Sequence, residues 1–109
     1  MAENKLADLS MDFAVKILKM TDGIKGHYSL TNQLERSATS IGANIREAKY
    51  AHSKADFISK LQIALKECYE TEYGYTVIDG EMMGLIGAGN NPMVGMTVAV
   101  AVAIEESNR

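Results

Sequence analysis

A length of 109 residues suits one domain with a core and little margin, and it argues against two full domains. An apolar content of 47% and a charged content of 23% belong to an ordinary soluble chain and exclude intrinsic disorder. The net charge of −3 excludes the broad positive field of a strongly basic nucleic-acid binder, so any phosphate binding here needs local clustering.

The charge is unevenly spread. Residues 1–73 hold ten basic and ten acidic side chains, and the negative excess lies in the tail, where Arg109 faces Asp79, Glu81, Glu105 and Glu106. A single cysteine, Cys68, allows no internal disulfide, and the start lacks the basic, apolar and small-residue pattern of a signal peptide. The expected compartment is the reducing cytoplasm.

From Leu6 onward, apolar residues at Leu6, Leu9, Phe13, Ile17, Met20 and Ile24 keep the three-and-four spacing of one helical face. This predicts a first helix ending near Gly26. Ser29 is a candidate N-cap for a second helix, with a ladder at Leu30, Leu34, Ala38, Ile41, Ile45 and Ala48. The hinge Tyr50 to His52 separates it from a third helix over about Lys54 to Tyr73. That helix opens on Ser53 and Asp56, a capping-box spacing with Asp in place of Glu or Gln. Its ladder runs through Phe57 or Ile58, Leu61, Ala64 or Leu65, and Cys68, with Lys60, Glu67 and Glu70 on the opposite side.

Beyond Tyr73 the chemistry changes. Tyr75 to Ile78 is rich in β-formers, Asp79-Gly80 is a turn signal, and Gly84, Gly87, Gly89, Asn90 and Asn91 loosen the middle. Asn91-Pro92 reads as an N-cap followed by proline at the first helical position, predicting a fourth helix through Ile104. The alternation of Val98, Val100, Val102 and Ile104 with alanines is instead the period of a strand. Both readings of this segment stand, with the helix favoured because an isolated strand lacks a partner. The apolar stretch from Met93 to Ile104 is too short to span a bilayer, which needs about 20 residues.

The run SATSIGANIREAKYAHSKADFISKLQIALKE, Ser37 to Glu67, places Ser37, Ala38, Ser40, Gly42 and Ala43 around Ile41 and Ile45, so a second helix backbone can approach closely. This run resembles the four-helix-bundle family of the 23S rRNA intervening-sequence proteins and the accessory variability determinant proteins of diversity-generating retroelements. The resemblance covers about Ala7 to Tyr73 and is strongest from Ser37 onward. It implies an all-α, antiparallel up-down bundle, non-enzymatic, assembled as a homopentamer. It further implies nucleic-acid binding through a basic surface, with RNA or DNA and a reverse transcriptase as partners; that no membrane is a partner is expected from the short apolar stretch.

The pattern departs from the family after Cys68 to Tyr73, CYETEY, where members continue with Trp-Leu. Here Gly74 follows and the chain has no Trp. A helical Gly costs about 1 kcal/mol relative to Ala, so the third helix is expected to end early. Gly84 to Thr97 resembles a glycine-rich piece of oligopeptide-transporter membrane proteins, implying a rearranged C-terminus without transport function of its own. The organisation expected is one helical-bundle domain over 1–109, with 1–73 supplying three helices and 74–109 a divergent segment.

Four cations, Arg36, Arg46, Lys49 and Lys54, surround the second helix and hinge, and Arg46 with Lys49 shares a face. They are the candidate phosphate contacts. The competing reading is a solvated face balanced by Glu35, Glu47 and Asp56. A polar stripe of Gln33, Ser37, Ser40, Asn44 and Glu47 suits a helix-to-helix or subunit contact, and Ser37, Ser40 and Asn44 are its candidate oligomer residues. Glu67 and Glu70 have a spacing that could serve acid/base or metal chemistry, but an ion pair with Arg36 or Arg46 is the expected use. Neither His27 nor His52 has a helical partner at metal-ligand spacing. Cys68 continues an apolar ladder, and Gly84, Gly87 and Gly89 are in the wrong order for a dinucleotide fingerprint. No catalytic residue, metal or cofactor is expected. The function expected is that of a nucleic-acid-associated accessory or scaffold oligomer, with a purely structural oligomer as the alternative.

Overall fold

The computed structural model describes residues 2–81 and 93–109, which form four helices. These are α1 (Ala2–Asp22), α2 (Tyr28–Lys49), α3 (Lys54–Glu81) and α4 (Met93–Ser107). Among the described residues, α1 packs on α2, α2 on α3, α3 on α4, and α1 on α4, while neither diagonal pair brings its backbones close. This is an all-α, four-cornered bundle with up-down connectivity.

The first three ladders are where the spacing places them. Leu6, Phe13, Ile17 and Ile24 are buried from α1 and the segment after it, and Leu34, Ala38, Ile41, Ile45 and Ala48 from α2. Leu9, expected in the core, is exposed at its edge. Gly42 brings α1 and α2 together, since a Cβ there would lie 3.1 Å from Ser10 Oγ. That hydroxyl donates to the Ala7 carbonyl at 2.8 Å.

The turn between α1 and α2 differs in detail from the sequence reading. Ser29 is not the cap: α2 begins at Tyr28, and His27 occupies the N-cap position in the left-handed region at φ 53° with no side-chain cap bond. Gly26 is also left-handed, at φ 82°. Two successive left-handed residues reverse the chain, and glycine supplies one of them without steric cost.

The Ser53–Asp56 box forms. Ser53 Oγ accepts the Asp56 backbone N–H at 3.0 Å, and Asp56 Oδ2 reaches back to accept the His52 N–H at 3.3 Å. From this start α3 runs 28 residues. It does not stop at Tyr73, and the β-rich reading of Tyr75 to Ile78 is overturned. Leu61, Ala64, Cys68, Thr71, Tyr75 and Ile78 are all buried at alternating steps of three and four, so one continuous face carries the helix across Gly74. Thr71 is accommodated because its hydroxyl donates to the Glu67 carbonyl at 2.7 Å and its oxygen lies 2.9 Å from Ser37 Oγ.

The last segment is helix, not strand. Met93, Met96 and Val100 are buried, Ala99, Ala103 and Ile104 pack partly against the core, and Val98 and Val102 face outward. The 93–104 stretch thus closes the bundle with one face. Its Asn91-Pro92 cap and the Gly84, Gly87, Gly89 connector lie outside the described residues. No helix among the described residues is long and apolar enough to cross a membrane.

Candidate nucleic-acid interface

The four candidate cations do not form one patch. Arg36, in the middle of α2, bridges the seam to α3, with Nη1 3.8 Å from Glu67 Oε2 and Nη2 3.5 Å from Glu70 Oε2. The carboxylate pair therefore serves as an ion-pair anchor between helices, and Arg36 is its partner. Burial, and next the neighbouring Glu70, hold the Glu67 carboxyl above its ordinary pKa.

Arg46 and Lys49 are exposed in the last turn of α2, and Lys54 is exposed in the first turn of α3, immediately across the hinge. All three lie in the turns that flank the hinge, at one end of the bundle, with Arg46 on the side that faces α1. Tyr50, 72% exposed, stands between them at the C-cap of α2. Its backbone N–H closes the helix on the Glu47 carbonyl at 3.1 Å. In the sequence Tyr50 reads only as a hinge residue. Its place beside Arg46 and Lys49 in the chain was the available signal.

The three acids that would balance these cations are engaged elsewhere. Glu35 accepts the Thr21 hydroxyl. Glu47 pairs with Lys60 at 3.3 Å. Asp56 is held in the capping box. Among the described residues, Arg46, Lys49 and Lys54 have no ion-pair partner. Cations at the end of α2 also sit favourably against its dipole, which helps to keep them there.

The polar stripe of α2 lies along the α3 side. Ser37 is buried and meets Thr71, while Ser40 and Asn44 are half-buried and bond within α2, to the Arg36 carbonyl at 2.7 Å and the Ser40 carbonyl at 2.8 Å. A different surface, missed in the sequence, is left apolar: Met11, Val15 and Leu18 of α1 point outward, Met11 at 60% exposure. Their signal was a second apolar spacing beside the Phe13–Ile17 ladder. Cys68 is fully buried and its thiol is pushed up to about 12 by desolvation, so it is not poised as a nucleophile. Among the described residues no group of three or more His, Cys, Asp or Glu side chains is placed to hold a metal ion.

A single up-down four-helix bundle, closed by an apolar fourth helix and carrying a basic hinge at one end, places the molecule among the small helical-bundle proteins. More particularly, the chain belongs to the 23S rRNA-intervening sequence protein family, whose model matches residues 2–81. It is similar to a protein of unknown function from the S23 ribosomal protein family of Bacteroides thetaiotaomicron VPI-5482, solved at 1.70 Å. The two share 37% identity with a TM-score of 0.81, over 96% of this chain and 99% of that one. A second family model, GGGtGRT protein, matches residues 75–107, so the last turns of α3 are matched by both models. That match covers residues 84–97, for which the sequence alone predicts a likeness to oligopeptide transporters. A comparison with curated proteins gave no match.

Proposed function

We propose that this chain is a non-enzymatic, homo-oligomeric accessory or scaffold protein of the cytoplasm that associates with nucleic acid through Arg46, Lys49 and Lys54. The observation that carries this reading is that Arg46, Lys49 and Lys54, exposed in the turns flanking the hinge, make no ion pair among the described residues. The exposed Tyr50 adds a surface on which an unpaired base stacks. The family's description, which refers to an intervening sequence of 23S rRNA, favours RNA as the ligand. The homopentamer and a reverse-transcriptase partner remain expectations from the resemblance, with Ser40, Asn44 and the outward Met11, Val15 and Leu18 as contact candidates.

A salt titration of RNA and DNA binding tests the reading. Three phosphate contacts per protomer give a slope of log affinity against log salt of about −2 to −3. The variant Arg46→Ala/Lys49→Ala/Lys54→Ala is expected to lose most of that slope, whereas Arg36→Ala retains it. No binding at low salt would sink the proposal. The alternative, a purely structural oligomer, is favoured by the equal count of acids and bases in residues 1–73 and would show that outcome.

A further inference from the structure

On the outer side of the α2–α3 seam, away from the basic end, a groove of about 690 Å³ opens. Its volume falls in the range of small-molecule sites, roughly 300–1,000 Å³. Leu34, Ser37 and Gly74 form its floor. A Cβ on Gly74 would lie 3.4 Å from Leu34 Cδ1, so the glycine keeps this floor free of a side chain. Tyr69 and Tyr73, one helical turn apart on α3, line the opening and are 57% and 73% exposed. Lys66 on α3 and Arg36 on α2 also line it, with Gln33 and Glu70 completing a polar rim.

Two exposed rings beside an apolar floor present π-faces to a planar ligand, and flanking cations select one that carries negative charge. Arg36 is shared with Glu67 and Glu70, but burial favours the neutral form of Glu67. Lys66 has no ion-pair partner among the described residues. Lys66 is thus the cation the rim leaves unengaged, beside amide and carboxylate groups for sugar hydroxyls and base edges.

We propose that this groove binds a nucleotide, with the base stacked on Tyr69 and Tyr73 and the phosphate held by Lys66. The site lies on a different face from the hinge cations and does not rest on their binding nucleic acid. The same chemistry fits a free mononucleotide or an unpaired nucleotide within a strand.

Backbone-amide shift titrations of the full chain with adenosine monophosphate, adenosine and single-stranded oligoadenylate test the proposal. The monophosphate is expected to shift amides of residues 30–37 and 66–77 and to bind more tightly than adenosine. Tyr73→Leu weakens it roughly tenfold, the typical worth of one stacked base. Lys66→Ala removes the advantage of the monophosphate over adenosine. Both positions are on the surface, so the variants should fold, which an unchanged amide spectrum elsewhere checks. The Arg46→Ala/Lys49→Ala/Lys54→Ala variant retains monophosphate binding, which separates this site from the basic end. Tighter binding of the oligomer than of the monophosphate identifies the strand as the source, and the reverse identifies the free nucleotide. The proposal is overturned by an absence of groove shifts with any of these ligands, or by binding that Tyr73→Leu leaves unchanged. A change in solution mass in Tyr73→Leu without any ligand binding also overturns it and assigns the groove to a second copy of the chain.

Discussion

Glu67 lies in the α2–α3 seam with Oε2 buried, without a hydrogen-bond donor, and 3.8 Å from Nη1 of Arg36. Its raised pKa, caused first by burial and then by Glu70, means that the folded state binds this proton more tightly than the unfolded state does. The resulting stability is fully present below the ordinary value of 4.5 and is lost as pH rises through the folded pKa. Glu67→Gln, which stays neutral, is expected to gain stability relative to the native chain as pH rises from about 4 to about 7. Denaturant unfolding at both pH values checks this, and an unchanged difference between the two would refute it. Gly26 makes a backbone argument at the same scale. With φ at 82°, Gly26→Ala is expected to destabilise by about 1–2 kcal/mol. An unchanged urea midpoint would show that the turn relaxes. The carboxylate pair was legible as an ion-pair site from its spacing, but the choice of Arg36 over Arg46 was not. That choice depends on how antiparallel helices slide into register, which no single helix encodes.

The third helix shows what a local reading captures and what it loses. Ser53 and Asp56 marked its start correctly because a cap is a contact between near neighbours in the chain. Its end was misplaced because Gly74 and the β-formers Tyr75 to Ile78 argue locally against helix, while the buried face through Thr71, Tyr75 and Ile78 overrides them. Thr71 hid that face, since a threonine counts as polar until Ser37 from α2 meets it at 2.9 Å. The fourth helix was legible only as one of two periods, and the core that α1 to α3 offer decides for the helix. Two glycines separate helix propensity from packing. Gly74→Ala places its Cβ at ordinary contact distance, 3.4 Å from Leu34 Cδ1, and is expected to stabilise by about 0.5–1 kcal/mol. Gly42→Leu meets Ser10 Oγ already at its Cβ and is expected to cost about 1–3 kcal/mol. Thermal or urea unfolding of both checks the pair, and equal effects of the same sign would contradict this division.

At the scale of the molecule, an acidic chain of net charge −3 offers only three free cations at its hinge. A few contacts on one protomer bind nucleic acid weakly, and their number rises only when several copies stand side by side. Assembly is therefore the condition on which the functional reading rests, and the outward apolar residues of α1 and α4 are the surface available for it. Met11, Val15 and Leu18 lie along α1, and Val98 and Val102 along α4, in a bundle whose core is already filled by their neighbours. Residues 75–107, matched by a second family model, supply the end of α3 and all the buried side chains of α4, so this segment completes the same fold from a distinct sequence pattern. The most direct measurement is the solution mass of the full chain by size-exclusion chromatography with light scattering. A discrete mass of about five chains, lowered in Met11→Arg without loss of helicity, is the expected result. A monomer at every concentration would contradict it, because three hinge cations per molecule would then be left without the neighbours that make them a binding surface.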